Sequence, residues 1–333
     1  MKNAARLFLG LFMGIAGNLY AQFIPNNNQA FQFMSLYNPG FTGVESFGDL
    51  KLSYRYQWTG FGADAPKFIN LAYNMRLRQP LDLTQNALRT SNAISMRPEN
   101  LPKSKGTIHG FGANVFNESV GQVERIGGGV NYSLNYSLSK KIRMAGGIAV
   151  LIENTRIDLN KLVFREPDSY YQSLVDNGSS QTTLSLRAGL LLYSPGFYFG
   201  VSYLPVWTNT LQSANTAVND PFYVASAQVG VAIPFSPTFS VKPSILALMD
   251  KSNEFQIDYS VKAYIQEKVW FGFSYRDIQS GVVMLGFTIS DTFCFSYSFE
   301  FSTSGYKQFS DGSHEVTTAI RLNNVKRKGQ YIW

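Results

Sequence analysis

Phe293-Cys294-Phe295-Ser296-Tyr297-Ser298-Phe299-Glu300-Phe301-Ser302 places an aromatic residue at every odd position and a small or polar one at every even position. Successive side chains of a β-strand point to opposite faces, so this run reads as a strand with one aromatic face. The alternation returns upstream. Phe255, Ile257, Tyr259, Val261, Ala263 and Ile265 interleave with Gln256, Asp258, Ser260, Lys262 and Tyr264. Val130, Tyr132, Leu134, Tyr136 and Leu138 interleave with Asn131, Ser133, Asn135, Ser137 and Ser139.

The same test along the chain predicts about fourteen strands, an even number as in single-chain bacterial barrels. The first seven spans are 48–58, 67–77, 106–116, 125–139, 141–153, 182–193 and 196–204. The others are 222–233, 238–249, 254–265, 268–276, 281–290, 293–302 and 314–322. Most reach the roughly 9–11 residues with which a tilted strand crosses a bilayer. The fold class is therefore all-β, a transmembrane antiparallel β-barrel.

Charge placement separates a membrane barrel from a soluble sandwich, whose strands also alternate. The apolar register is expected to be free of charge. Lys51, Arg55, Arg76, Arg125, Arg143, Arg187, Lys242, Lys262, Arg276 and Arg321 fall on the other register, as do Glu153, Glu254, Asp258, Glu300 and Glu315. An Arg or Lys facing lipid at mid-bilayer costs about 2–4 kcal/mol, whereas a lumen position is solvated. On that reasoning, Arg at Phe295 or Ile257 is expected to impair assembly, and Arg at Ser296 or Ser260 to be tolerated in a roomy lumen. Aromatics near strand ends (Trp58, Tyr203, Phe255, Tyr275, Phe293, Phe301) fit interfacial girdles.

The N-terminus has the layout of a secretory signal peptide. Lys2 and Arg6 precede an apolar stretch from Leu7 to Leu19, and Ala21 precedes Gln22 at the expected cleavage point. That stretch is too short to span about 30 Å of hydrocarbon as a helix. Charged and aromatic residues each make up 15% of the chain, and mean hydropathy is -0.09. Soluble chains average about 25% charged residues. The net charge of +7 is scattered rather than gathered into a stripe, so nucleic acid is not an expected partner. One cysteine, Cys294, excludes an internal disulfide, and His109 and His314 lack acidic neighbours at metal-ligand spacing.

No catalytic constellation, cofactor motif or metal site is expected, and the chain reads as a non-enzyme. Gly110-Phe111-Gly112 lacks the third glycine of a dinucleotide fingerprint, and Gly127 to Gly129 lie within a strand. Ser313-His314-Glu315 are consecutive strand residues on alternate faces and cannot form a triad by themselves.

Tight turns at 139–140, 194–195, 235–237, 267–268 and 291–292 alternate with longer connections at 154–181, 205–221 and 303–313. Outer-membrane barrels keep short turns in the periplasm and long loops outside. The expected organisation is a signal peptide over 1–21, an N-terminal periplasmic segment over 22–46, the barrel over 47–322 and a tail over 323–333. The connection 78–105 is long yet has periplasmic parity.

Four motifs carry a family resemblance. Asn38-Pro39-Gly40-Phe41-Thr42-Gly43 resembles the Asn-Pro-Ala-Tyr-x-Gly opening of the PorP/SprF family, with Gly40 for Ala and Phe41 for Tyr. Arg55-Tyr56-Gln57-Trp58 with Ala65-Pro66 resembles its Arg-x-Gln-Trp strand and Ala-Pro turn. Lys242-Pro243-Ser244 with Asp258 and Tyr275-Arg276 is similar to its central strands, and Ser313-His314-Glu315 to the opening of its last strand. The motifs run in order from Gln32 to Leu322.

The resemblance implies an outer-membrane component of the type IX secretion and gliding machinery. Its partners would be a secreted surface protein such as an adhesin, held by its C-terminal domain, and periplasmic ring components. A porin or small-solute channel is the alternative. The motif residues Asn38, Pro39, Arg55, Gln57, Trp58, His314 and Glu315 also have scaffold readings, Asn38-Pro39 as a turn and Trp58 as a girdle residue. Tyr170, Tyr171, Trp207, Phe222, Tyr306 and Phe309 are expected on loops at the extracellular mouth as partner contacts, Trp207 and Tyr306 foremost.

Overall fold

The computed structural model describes residues 27–45, 47–77, 107–139, 142–159, 179–213, 224–250, 253–266, 268–277, 280–290, 292–303 and 311–322. The strands are β1 (Gly48–Tyr56), β2 (Lys67–Leu77), β3 (Ile108–Val120), β4 (Val123–Ser137) and β5 (Arg143–Ile157). There follow β6 (Ser180–Tyr193), β7 (Phe197–Ser213), β8 (Ala225–Val231), β9 (Ile233–Ser236) and β10 (Phe239–Met249). The last are β11 (Phe255–Ile265), β12 (Val269–Arg276), β13 (Ser280–Thr288), β14 (Phe293–Ser302) and β15 (Ser313–Leu322). Neighbours pair antiparallel, and β15 returns to β1 with Gly48 opposite Leu322 and Tyr56 opposite His314. Both β8 and β9 pair with β10. They form one stave broken at Ala232, so the closed barrel has 14 strands.

Burial is inverted relative to a soluble sandwich. On β1, Arg55 is 5% exposed and its neighbour Tyr54 is 43% exposed. Around the ring, Lys51, Asp258, Lys262, Glu300 and Glu315 are buried, while Leu52, Val115, Ile148, Val261 and Phe273 are exposed. An apolar face encircling the molecule far exceeds the few hundred Å² that soluble monomers leave bare, and lipid is the solvent that matches it. The chain is an outer-membrane β-barrel.

Three residues depart from the charge-free outer register. Lys67, Glu124 and Arg156 lie exposed on it. All three sit at strand ends on the same rim, where long stems carry the charge to water. The Lys67 ammonium lies 5.8 Å from the centre of the Tyr56 ring.

One end of the barrel, the turn end, carries the turns from β4 to β5, β6 to β7, β9 to β10, β11 to β12 and β13 to β14 together with the long connection from β2 to β3. The other, the loop end, carries the connections from β1 to β2, β3 to β4, β5 to β6, β7 to β8, β10 to β11, β12 to β13 and β14 to β15. Strand β7 is longer than its periodicity predicts. Its ladder to β6 continues to Ser213 opposite Gln181, while its ladder to β8 stops at Tyr203. The first part of the expected loop 205–221 is therefore strand. Pro205 is accommodated because β6 shifts register there, between Leu186 and Ala188, so no ladder bond needs its missing N–H.

The largest correction concerns the N-terminal segment, expected as a separate periplasmic stretch over 22–46. Residues 27–45 instead lie inside the barrel. They form a 3-10 turn, Ala30–Phe33, a single helical turn, Met34–Tyr37, and a second 3-10 turn, Pro39–Phe41. Phe33, Met34, Tyr37, Asn38 and Thr42 are each at most 3% exposed. Elements this short satisfy few of their own backbone groups, so the polar lumen wall supplies their partners.

Candidate functional site

The motif Asn38-Pro39-Gly40 fastens this plug to the wall. The Asn38 amide Nδ2 lies within hydrogen-bond distance of the carbonyls of Leu190 (3.1 Å) and Val201 (3.3 Å) and of Gln228 Oε1 (3.0 Å). Its Oδ1 accepts from the Gly40 N–H at 2.9 Å. The approach is possible because the wall lacks side chains there. A Cβ on Gly147 would lie 2.3 Å from the Pro39 carbonyl carbon, and one on Gly189 would lie 2.1 Å from Asn38 Oδ1. Both glycines sit mid-strand on the inward register of β5 and β6. Further wall-to-plug bonds run from Ser202 Oγ to the Tyr37 carbonyl (2.6 Å), from Lys51 Nζ to the Gln32 carbonyl (2.7 Å) and from Arg76 Nη2 to the Val44 carbonyl (2.5 Å).

Nearer the loop end, the plug meets an ionic network. Glu300 receives Arg55 Nη2 at 2.6 Å, Ser280 Oγ at 2.9 Å and Arg276 Nη1 at 3.1 Å. Arg276 also bonds Asp258 through Nε (3.1 Å) and reaches the plug at the Asn27 carbonyl (2.8 Å). The Asn28 N–H donates to Glu315 at 2.6 Å. With its amide oxygen turned to the guanidinium, Gln57 accepts from Arg55 Nη2 at 2.7 Å. Buried charges are tolerated when paired and fully hydrogen-bonded, and six strands, β1 and β11 to β15, share this arrangement with the plug.

The expected site residues thus divide into three groups. Asn38, Pro39, Arg55, Gln57 and Glu315 converge in the lumen, joined by Asp258 and Arg276. Trp58 and His314 face outward. Trp58 is 40% exposed at the rim, its ring 5.7 Å from that of Phe61. The His314 Nδ1 lies 2.6 Å from the Tyr297 hydroxyl, with the Phe299 ring 5.1 Å away. His314 points away from the lumen that holds Ser313 and Glu315, so these three do not act as a unit. Trp207 is 50% exposed on the projecting part of β7, not on a loop tip. Tyr170, Tyr171, Phe222, Tyr306 and Phe309 lie outside the described residues.

Glu300, Asn27, Asn28 and the inward glycines were not singled out as site residues from the sequence. Mid-strand glycine on a lumen register was the available signal, since glycine weakens a strand unless another backbone approaches. Among the described residues, no group of three His, Cys, Asp or Glu side chains is placed to hold a metal ion.

The model for the type IX secretion system membrane protein PorP/SprF matches residues 19–320. The chain belongs to the PorP/SprF family. No curated protein matches it. Among solved structures, the toluene transporter TbuX of Ralstonia pickettii shares 11% identity at a TM-score of 0.50, covering 86% of this chain and 93% of its own. The CymD monoaromatic hydrocarbon channel shares 15% identity at a TM-score of 0.49, covering 90% of this chain and 94% of its own. At these identities the likeness to TbuX is one of fold. The motif Asn38-Pro39 lies in the plug against β5 to β8, and Arg55 and Gln57 lie on the wall in the network that meets the plug at Asn27 and Asn28.

Proposed function

We propose that this PorP/SprF-family barrel is a closed outer-membrane anchor. In this reading it supports type IX secretion by holding a secreted partner, such as an adhesin, at the cell surface through the partner's C-terminal domain. The observation that carries the reading is the filled lumen. Residues 27–45 occupy it with their backbone bonded to the wall at many points. A barrel so filled is poorly suited to conduct solute, which disfavours the porin alternative, but it is a stiff platform for load. The loop end offers the contact surface, with Trp58, Phe61, Trp207 and Leu211 each at least 40% exposed there. Aromatic side chains are frequent interface anchors. The turn end would face periplasmic components of the same machine, and the chain would reach the membrane after signal removal before Gln22.

The test is surface retention of the partner in cells. The first variant carries Trp207→Ser and Leu211→Ser, and a second has the 303–313 connection shortened. Assembly of each barrel is verified by heat-modifiable gel mobility. Loss of the partner to the medium with the barrel intact supports the anchor. Normal retention by both variants would remove the loop end as the binding surface.

A further inference from the structure

At the turn end, between the plug and strands β1 and β10 to β15, lies a cavity of about 80 Å³. A water needs roughly 10–15 Å³ of such space, so the cavity admits several waters or one small polyatomic ion. Three cations line it, Lys51, Lys242 and Arg321, against one carboxylate, Asp49. Asp49 is already engaged by Lys51 at 2.7 Å. Directly across the ladder from Lys242 stands a further cation, Lys262. It is 2% exposed, with its ammonium 3.6 Å from the centre of the Phe31 ring of the plug. Like charges in facing positions destabilise a sheet, and low-dielectric walls concentrate their field in the space between. Among the described residues no carboxylate pairs with Lys262 or Arg321 within 4 Å.

A second observation points to a ligand. Tyr264 lines the cavity and is 8% exposed, yet its hydroxyl has no hydrogen-bond partner among the described residues. Buried hydroxyls are nearly always satisfied. The Lys242 ammonium lies 4.3 Å from the centre of the same ring. Lys242 and Tyr264 therefore stand in contact at the wall of the cavity, and their ammonium and hydroxyl are two donors suited to an anionic ligand.

We propose that the turn end of the lumen is a binding site for a small oxyanion, a phosphate or carboxylate group, with Lys242, Arg321 and Tyr264 as its donors. The site is distinct from the loop end and does not rest on the anchoring role. It is tested by isothermal titration of inorganic phosphate and of acetate into the detergent-solubilised full barrel, in chloride buffer of matched ionic strength. The wild type is expected to show saturable binding of at least one anion, weakened tenfold or more by Lys242→Gln and by Tyr264→Phe. A preference for phosphate assigns a phosphate ligand, and a preference for acetate assigns a carboxylate. Tyr264→Phe keeps the ring and removes one hydroxyl, so it serves even if the lysine variant assembles poorly. Absence of saturable binding for both anions, or unchanged affinity in Tyr264→Phe, overturns the proposal.

Discussion

Gly147→Ala tests the seat of the plug with a single methyl group. The added Cβ would lie 2.3 Å from the Pro39 carbonyl carbon, 2.4 Å from its oxygen and 2.5 Å from the Gly40 nitrogen. All three are backbone atoms, so no rotamer change relieves the overlap, and the 39–40 peptide must leave the wall. Overpacking of this kind costs about 1–3 kcal/mol. Displacing the peptide also strains the Asn38 bonds, and a buried amide left without a partner costs about 1–3 kcal/mol more. Gly146→Ala is the matched control, because its Cβ would face outward with Leu190 Cδ2 at 3.7 Å, an ordinary contact. The assay is the temperature at which the folded, fast-migrating gel form is lost. Gly147→Ala should lose it well below wild type, with Gly146→Ala close to wild type. Equal behaviour of the two variants would show that the plug does not rest against β5 as described.

Asn38→Ala should destabilise by about 2 kcal/mol, within the range for buried polar groups losing their partners, and Asn38→Asp should not restore stability because the wall offers Asn38 acceptors; the same thermal assay decides. Glu300→Gln leaves Arg55 and Arg276 short of a counter-charge and should cost about 3–5 kcal/mol, the usual penalty for breaking a buried pair; a loss below about 1 kcal/mol would contradict the network. Val261→Arg places charge at a mid-strand lipid position and should cost about 2–4 kcal/mol, whereas Phe255→Arg at the rim should cost about 0–1 kcal/mol; insertion yield in liposomes reads the difference, and equal yields would contradict the assigned lipid face. Ser296→Arg, expected from the sequence to be tolerated, should instead impair folding, because it breaks the bond that Gln32 of the plug donates to Ser296 Oγ at 2.9 Å and adds a fourth cation to a cavity already lined by Lys51, Lys242 and Arg321.

The barrel was legible because lipid imposes a strict rule on one face of every strand. Phe293 to Ser302 and Lys67 to Leu77 have the expected bounds, and the chain closes with the expected strand count. The exceptions, Lys67, Glu124 and Arg156, lie where the rule relaxes at the rim. The end of β7 was less legible because Pro205 interrupts the periodicity, and a bulge that excuses a proline cannot be seen in one strand. The plug escaped for a deeper reason. Residues 27–45 are held by single hydrogen bonds to side chains hundreds of positions away, such as Asn28 to Glu315, and their four-residue turns carry no period. Asn38-Pro39 was visible as a motif, and its turn reading was correct locally. What the turn is for depends on Gly147 and Gly189, whose meaning lies in the backbone that approaches them.

Ion conductance of the full mature chain in planar bilayers tests the central claim most directly, since the proposed anchor, filled by its own residues 27–45, is expected not to conduct. The expected record is a flat baseline at sustained voltage for wild type, with stepwise openings appearing in Gly147→Val, where the plug is forced from its seat. Steady open-channel steps from the wild-type protein would contradict the account and favour the channel reading.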